Sequence, residues 1–402
     1  MRRGQAIALF LSSAFSVACG AVFLSWYLGR DPGPSLRITD NSAAVDALVR
    51  ARGSVAAAER STGDVVETGA LSPPRRHRLS ADEVRTFFPM LAAKRSRFEY
   101  DPVAYLRTRP RSEMRRPWPE HPRGEYRRTV NDAGFTRSTP LSPAPPDLRV
   151  LVVGDSHLEG AVSEDENMCG IAEARLSASR PGGVVEVLNA GQGGTHFYNY
   201  LAVVERHLEL DPDVVVCIAY SGNDFGGAVQ LSRHFNSLGP WGPPGVPRAR
   251  LEALRNQHVK ATAQCLGQAW AFLARPQALP HGVEAAAATI AEMDRMCAAR
   301  GIRFHCIRLP SAFCAQPQRY AGAIEDALEV MELGNAPLEV EPALTEAWIR
   351  RLAEAGVEVI DTLPLLAALE GDAYWHADLH LAIEGHRVVG ERIAERIDDP
   401  ND

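Results

Sequence analysis

The sequence predicts an α/β protein whose parallel sheet is covered by helices on both faces, preceded by an apolar N-terminal helix. Five short runs of apolar and β-branched residues recur in the C-terminal two thirds of the chain, separated by helical patterns. These runs are apolar throughout, which is typical of strands buried on both faces. The 402 residues are 46% hydrophobic and 23% charged, a composition that excludes a wholly disordered, collagen-like or multi-span membrane protein.

The predicted sheet lies in a domain spanning residues 147–402. Its five strands are expected at 149–155, 184–191, 213–220, 302–309 and 357–361, with helices at 166–178, 198–210, 285–300, 344–355 and 383–397. Residues 225–284 interrupt the alternation and begin at the carboxyl end of the third strand. Ligands of such sheets bind beyond the carboxyl ends of the strands, so this insertion is expected to form a lid or a substrate wall.

Residues 31–146 are predicted to be a stalk and irregular lead-in. The segment is rich in Pro, Arg and Ser and has poor apolar periodicity, apart from a short helix expected at 81–93 with Ser80 as its N-cap. It holds 20 basic and 14 acidic residues, whereas residues 147–402 hold 20 basic and 36 acidic ones. The acidic C-terminal part argues against nucleic acid as a ligand, because a phosphate backbone requires basic surface.

Residues 1–30 are predicted to anchor the chain in a membrane. No charged residue occurs from 4 to 29, and the apolar run 6–28 is long enough to cross a bilayer. Arg2 and Arg3 precede it, which favours a cytoplasmic N-terminus and an extracytoplasmic remainder, periplasmic or at the cell surface. A cleaved signal peptide and a lipoprotein site at Cys19 remain as alternatives to the uncleaved single-pass helix.

Four polar motifs follow predicted strands, where a parallel sheet gathers its functional groups. Ser156 follows the first strand, Gly194 ends a glycine-rich turn after the second, and Asn223 follows the third. Asp378 and His380 follow the fifth strand. A weak serine nucleophile needs a histidine base held by an acid, and backbone N–H groups and an Asn amide can stabilise an oxyanion. The order of the four motifs therefore predicts covalent serine chemistry.

These motifs resemble those of the SGNH (GDSL-type) hydrolase family. The matching blocks are Gly-Asp-Ser at 154–156, Asn-Ala-Gly…Gly at 189–194, Gly-Asn-Asp at 222–224 and Asp-x-His at 378–380. The segment 131–135 (Asn-Asp-Ala-Gly-Phe) resembles the lead-in of membrane-tethered bacterial members. The resemblance covers residues 147–398 and implies a three-layer α/β/α sandwich with a flavodoxin-like sheet.

The resemblance also implies a role for each motif residue. Ser156 would be the nucleophile, His380 the general base and acid, and Asp378 the residue that orients His380. The oxyanion hole would consist of the N–H groups of Ser156 and Gly194 and the side-chain amide of Asn223. Gly194 is preferred to the neighbouring glycines because the family's glycine lies five residues after the Asn.

The last block departs from the common family pattern, and this departure bears on function. Many members have Asp-x-x-His, whereas this chain has Asp-x-His. The shorter spacing, and His157 directly after the serine, resemble the branch that transfers acetyl groups onto exported polysaccharides. The expected function is a serine esterase acting on acyl esters, with acetyl favoured, of a carbohydrate or lipid. A polysaccharide O-acetyltransferase, or a non-catalytic glycan-binding or scaffolding protein, are the alternatives, and an export or polysaccharide-modification complex is the expected partner.

No cofactor and no metal ion are expected. The sequence contains no H-E-x-x-H motif and no carboxylate triad that would favour a catalytic metal, and its seven cysteines form no C-x-x-C motif. In an oxidising compartment, one disulfide among cysteines 265, 297, 306 and 314 would be compatible with the sequence.

Overall fold

A computed structural model of the chain describes residues 71–93, 96–241, 262–331 and 334–399. The strands in these ranges are β1 (Phe98–Asp101), β2 (Tyr105–Thr108), β3 (Ser112–Pro117), β4 (Glu125–Val130), β5 (Leu148–Gly154), β6 (Val185–Asn189), β7 (Val214–Tyr220), β8 (Arg303–Leu309) and β9 (Val359–Asp361). The α-helices there are α1 (Ala81–Phe87), α2 (Ser156–Glu159), α3 (Met168–Ala178), α4 (Phe197–His207), α5 (Asp224–Phe235), α6 (Gly267–Ala274), α7 (Leu279–Ala298), α8 (Ala312–Ala315), α9 (Ala321–Met331), α10 (Ala336–Glu354), α11 (Leu363–Ala367) and α12 (Ile383–Asp398).

The centre of the fold is a five-stranded parallel sheet with the order β6-β5-β7-β8-β9. All seven residues of β7 are buried, as expected for a central strand of Val, Ile, Ala and Cys covered on both faces. The sheet confirms the predicted α/β class. Its order reverses between β5 and β7, and the crevice at such a switch point is where doubly wound sheets bind ligands.

Helices cover the sheet in two groups. α3 packs against α12 and against β6, while α7 packs against α4, α5, α10 and β8. The helices predicted at 166–178, 198–210 and 383–397 are observed within about three residues of their expected bounds, but α7 begins at Leu279 rather than 285 and α10 at Ala336 rather than 344. Proline at the start of α7 is compatible with a helix because its missing N–H would have no partner in the first turn.

The lead-in differs from the irregular segment that the sequence predicts. Its described part contains two antiparallel hairpins, β1–β2 and β3–β4, as well as α1 with the expected Ser80 cap. β3 alternates half-buried and exposed residues and pairs with β4 partly through ion pairs, such as Arg115 with Glu125, so it lacks an apolar signal. Val84, Phe88 and Phe98 belong to the same core as the sheet residues.

The predicted membrane anchor, residues 1–30, lies outside the described residues. Within the described ranges, no helix combines the length and apolar character that crossing a bilayer requires. The cysteines in these ranges (Cys169, Cys217, Cys265, Cys297, Cys306 and Cys314) are all free thiols, so none of the disulfides considered from the sequence is formed.

Candidate active site

Ser156 lies on a tight turn between the first strand of the sheet and a short helix. β5 ends at Gly154, whose backbone lies so close to Ile218 that a Cβ would meet its carbonyl oxygen at 3.0 Å. Asp155 then caps α2, because its Oδ1 accepts a hydrogen bond from the His157 N–H at 2.9 Å. The cap leaves Ser156 as the first residue of α2, at the carboxyl edge of the sheet.

The structure brings Ser156, His380 and Asp378 together. Ser156 Oγ lies 2.9 Å from His380 Nε2, and His380 Nδ1 lies 2.9 Å from Asp378 Oδ2. The other carboxylate oxygen of Asp378 accepts the His380 backbone N–H at 3.1 Å. The three side chains therefore form a continuous hydroxyl–imidazole–carboxylate chain, even though 224 residues separate Ser156 from His380.

The short Asp-x-His spacing is accommodated by a left-handed residue. Leu379, between the acid and the histidine, has φ of +59°, a conformation that non-glycine residues seldom adopt. Its side chain is buried, and the loop is closed by hydrogen bonds from Leu379 N–H to Trp375 O and from Trp375 N–H to His380 O. Surrounding contacts thus hold a strained turn that points the Asp378 carboxylate back at the imidazole.

His380 differs electrostatically from the other buried histidines of the site. Burial lowers its pKa, but the charge and hydrogen bond of Asp378 outweigh burial, and the net pKa lies above the usual value. Burial lowers the pKa of His157 well below its usual value and that of His196 and His386 to about 3. Among these histidines, His380 alone combines a carboxylate partner with a serine hydroxyl.

Three glycines follow β6, and their N–H groups have different partners. The Gly191 N–H donates to Asn189 Oδ1 at 2.9 Å, and the Gly193 N–H donates to Glu159 Oε2 at 3.0 Å. Gly194 has a φ of +78°, and its N–H has no hydrogen-bond partner among the described residues. Of the three, Gly194 therefore has the N–H that is available to a ligand.

The other two predicted oxyanion donors already have polar neighbours. The Asn223 side-chain amide donates to Gln264 Oε1 at 3.3 Å. The Ser156 N–H lies beside the Asp155 carboxylate, whose pKa burial raises to about 6 although the Ser156 and His157 N–H groups oppose that shift. Asp224, next to Asn223, is fully buried and accepts the Tyr200 hydroxyl at 2.7 Å, so it holds the loop.

A buried ion cluster supports the site from the lead-in side. Glu159, three residues after Ser156, is 2% exposed and pairs with Arg97 and Arg128. The same carboxylate accepts the Gly193 N–H, so the lead-in hairpins are coupled to the glycine loop. The sequence did not predict this cluster. The signal that could have indicated the cluster is Glu159, a glutamate in the first turn after Ser156. The arginine partners of Glu159 have no characteristic spacing from it in the sequence.

The insertion also reaches the site. Residues Thr262–Leu266 form a π-helical turn, a feature often found at functional sites. Its Gln264 contacts both Asn223 and His380. The described part of the predicted lid or wall thus contributes Gln264 beside Asn223 and His380, and Gln268 beside Ser221 and Gly226, and nothing in the sequence singled these two out.

Three other buried histidines have structural positions. His157 stacks on Tyr220 with ring centroids 3.9 Å apart, and His196 occupies the N-cap position of α4. His386 is fully buried, and its Nδ1 accepts the Met168 N–H at 3.3 Å. A separate cluster of His77, Glu83 and His234 has ligand atoms within 4.8 Å of one another, and it includes none of the predicted catalytic residues.

None of the protein-family models matches this chain, and neither does any curated protein. It is similar to a solved alpha/beta hydrolase enzyme from the metagenome of Lake Arreo, at 14% identity over 62% of this chain and 94% of that chain, with a TM-score of 0.36. A lipase/acylhydrolase from Enterococcus faecalis matches at 16% identity over 62% and 95% of the two chains, with a TM-score of 0.32. An acetyl xylan esterase matches at 14% identity over 62% and 99%, with a TM-score of 0.34. At such scores these similarities carry no functional assignment.

Proposed function

We propose that this protein is a serine ester hydrolase that cleaves acyl esters through an acyl-Ser156 intermediate. Two contacts of 2.9 Å support this proposal: Ser156 Oγ with His380 Nε2, and His380 Nδ1 with Asp378 Oδ2. A serine hydroxyl is a weak nucleophile, and this arrangement is the one that activates it. A solely non-catalytic glycan-binding or scaffolding role would not require these contacts.

The first half of the proposed reaction forms the acyl-enzyme. Ser156 Oγ attacks the ester carbonyl carbon while its proton passes to His380 Nε2. The oxyanion that forms accepts hydrogen bonds from the Gly194 N–H and the Asn223 amide, and the Ser156 N–H is the third predicted donor. When the bond to the leaving oxygen breaks, His380 returns the proton to that oxygen and an alcohol departs.

The second half reverses these roles with water as the nucleophile. Water gives its proton to His380 and attacks the acyl carbon, after which Ser156 leaves and recovers the proton. Asp378 stays ionised throughout, keeps the neutral imidazole protonated on Nδ1 and stabilises the imidazolium. The raised pKa of His380 fits this role, because the Asp378 charge favours the protonated ring.

Acetyl esters of a carbohydrate or lipid are the substrate class that we propose. The support for acetyl as the acyl group is the Asp378-x-His380 spacing, which resembles that of the branch that transfers acetyl groups onto exported polysaccharides. The same spacing favours a second candidate, in which the acyl-enzyme transfers its acetyl group to a sugar hydroxyl instead of water. Both candidates use the same residues and differ only in the acceptor.

Labelling and turnover test the proposal on the full-length protein. A fluorophosphonate should modify Ser156, and Ser156→Ala should lower the turnover of a short chromogenic acyl ester by a factor on the order of 10⁶. Ser177→Ala, on an exposed position of α3, is the matched control and should behave as wild type. Labelling that persists in Ser156→Ala would rule out the proposed nucleophile. Addition of a glycan acceptor, with detection of acetylated glycan, distinguishes transfer from hydrolysis.

We also propose that residues 31–402 lie outside the cytoplasm, held by one uncleaved helix within residues 1–30. The support is the uncharged run at 4–29 with its two leading arginines. A reporter fused after residue 402 that functions only in the cytoplasm would contradict this topology. A mature N-terminus found at Cys19 or Gly20 would show cleavage or lipid attachment instead.

A further inference from the structure

The carboxamide of Gln264 occupies the space between the groups that would act on an ester. Its Oε1 accepts the Asn223 amide at 3.3 Å, and its Nε2 lies 3.2 Å from His380 Nε2. The backbone carbonyl of Gln264 accepts the Tyr220 hydroxyl at 2.9 Å, which holds the π turn against the end of β7. A single neutral side chain from the insertion therefore engages both the predicted oxyanion donor and the predicted base.

The orientation of this carboxamide follows from its neighbours. The Asn223 amide is a donor, so it requires the oxygen of the Gln264 carboxamide on its side. The NH₂ group then faces His380 Nε2, which is an acceptor while its ring is neutral.

Gln264 competes with Ser156 for the base. A neutral imidazole whose proton lies on Nδ1, toward Asp378, has one lone pair on Nε2. The Ser156 hydroxyl at 2.9 Å and the Gln264 NH₂ at 3.2 Å are both within hydrogen-bond distance of that nitrogen. While Gln264 is in place, the lone pair that must accept the serine proton is shared.

A carboxamide has the same planar outline as an ester, and the Gln264 carboxamide makes two of the contacts expected of a bound ester. Its oxygen faces an oxyanion donor, and its nitrogen lies beside the histidine that protonates a leaving group. We propose that Gln264 is a built-in substrate mimic that fills the acyl-carbonyl subsite of the free protein and is displaced by the substrate. This inference rests on the proposed function, because it assigns the subsite from the roles of Asn223 and His380.

Displacement predicts a specific kinetic signature. A ligand that binds only the open form has its apparent affinity reduced by the fraction of protein that is open. Removal of the carboxamide should therefore lower KM for a short acyl ester by about 2- to 10-fold, the effect of one modest hydrogen bond. kcat should stay within about twofold, because the substrate complex is the same once Gln264 has left.

Two variants and a control make the kinetic test. Gln264→Ala removes the side chain, whereas Gln264→Met keeps its length but cannot form either hydrogen bond. Both should lower KM, and Gln277→Ala, on an exposed position of the same insertion, should not. A higher KM or a lower kcat in both Gln264 variants would mean that Gln264 assists the substrate, and unchanged kinetics would mean that it does not occupy the subsite. Either result overturns the inference.

A binding measurement separates this inference from the proposed function. Acetamide is a free carboxamide that should refill the vacated subsite in Gln264→Ala. With ¹⁵N-labelled asparagine, the side-chain signal of Asn223 should shift with acetamide in Gln264→Ala but not in wild type at the same concentration. A shift in both proteins, or in neither, overturns the substrate mimic. Absence of Ser156-dependent turnover in every variant overturns the esterase instead.

Discussion

Two segments outside the sheet reach the same catalytic edge, and they do so with different chemistry. The lead-in supplies Arg97 and Arg128, whose charges pair with the buried carboxylate of Glu159. The insertion supplies Gln264, a neutral group whose two contacts are 3.2 and 3.3 Å long. A buried charge is costly to leave unpaired, whereas neutral hydrogen bonds exchange readily with a ligand. We therefore call the side of the site formed by Arg97, Arg128 and Glu159 the fixed wall. The side formed by Gln264 is the exchangeable wall.

Arg128→Met should break the fixed wall and have the largest effect on folding. Glu159 would keep Arg97 but lose its buried partner, so we expect the free energy of unfolding to fall by about 3–5 kcal/mol. Arg127→Met is the matched control, because the neighbouring arginine of β4 pairs with an exposed Glu113. That substitution should cost about 1 kcal/mol or less. Denaturant unfolding of both variants would show equal losses if the Glu159 cluster were not a structural support.

Asn223→Ala tests the donor that touches both the exchangeable wall and the proposed oxyanion. Loss of an oxyanion donor should lower kcat by roughly 10²–10³, or about 2.7–4 kcal/mol, with KM little changed. This differs from the KM effect expected for Gln264. If Asn223 only tied the loop, stability would fall by about 1–3 kcal/mol and kcat per folded molecule would stay near normal. Turnover and melting temperature measured on the same sample distinguish the two roles.

The pH dependence of kcat/KM compares how the two walls affect the pKa of His380, and its expected change is the smallest of the three. Burial lowers the pKa of His380, but Asp378 raises it by more than burial lowers it. Asp155 and Glu159 add smaller upward contributions, so the pKa of His380 lies above the usual 6.5. Because the neutral ring accepts the serine proton, kcat/KM should rise with pH through that pKa, and the acid limb should lie above pH 6.5. Glu159→Gln removes a negative charge and should move the limb to lower pH.

Gln264→Met removes no charge and should not move the acid limb downward. Rate profiles of wild type and the two variants, recorded at substrate concentrations far below KM, check both expectations. An acid limb below pH 6.5 in wild type would mean that Asp378 does not dominate the environment of His380. Equal downward shifts in both variants would contradict the electrostatic distinction between the two walls.

The parts of the fold that the sequence predicted are those with a strong local pattern. Continuous apolar runs identified all five strands of the sheet, because a strand buried on both faces needs no polar alternation. Polar residues soon after β5 and β7, and the Asp-x-His block farther beyond β9, identified Ser156, Asn223 and His380 as neighbours, since parallel strands end at one edge. The roles assigned to these residues, and the boundaries of the domains, remain predictions.

The features that the sequence did not predict depend on contacts between distant segments. β3 carries charged residues such as Glu113 and Arg115, which pair with residues of β4 across the hairpin, so its pattern resembled that of a solvated linker. Gln264 has no characteristic spacing to Asn223 or His380, and a neutral amide in an insertion gives no signal by itself. The left-handed Leu379 was equally hidden, because a leucine does not indicate positive φ.

The order of the catalytic groups along the chain has a consequence for biosynthesis. Ser156 is translated directly after β5, the first strand of the sheet to be made, whereas His380 is translated only after β9, the last of its five strands. A nascent chain that has folded its first strands therefore carries a serine with no base and reacts no faster than an ordinary alcohol. Premature termination anywhere between these residues yields an inert product, so such fragments would not deacylate esters in the compartment where they are made.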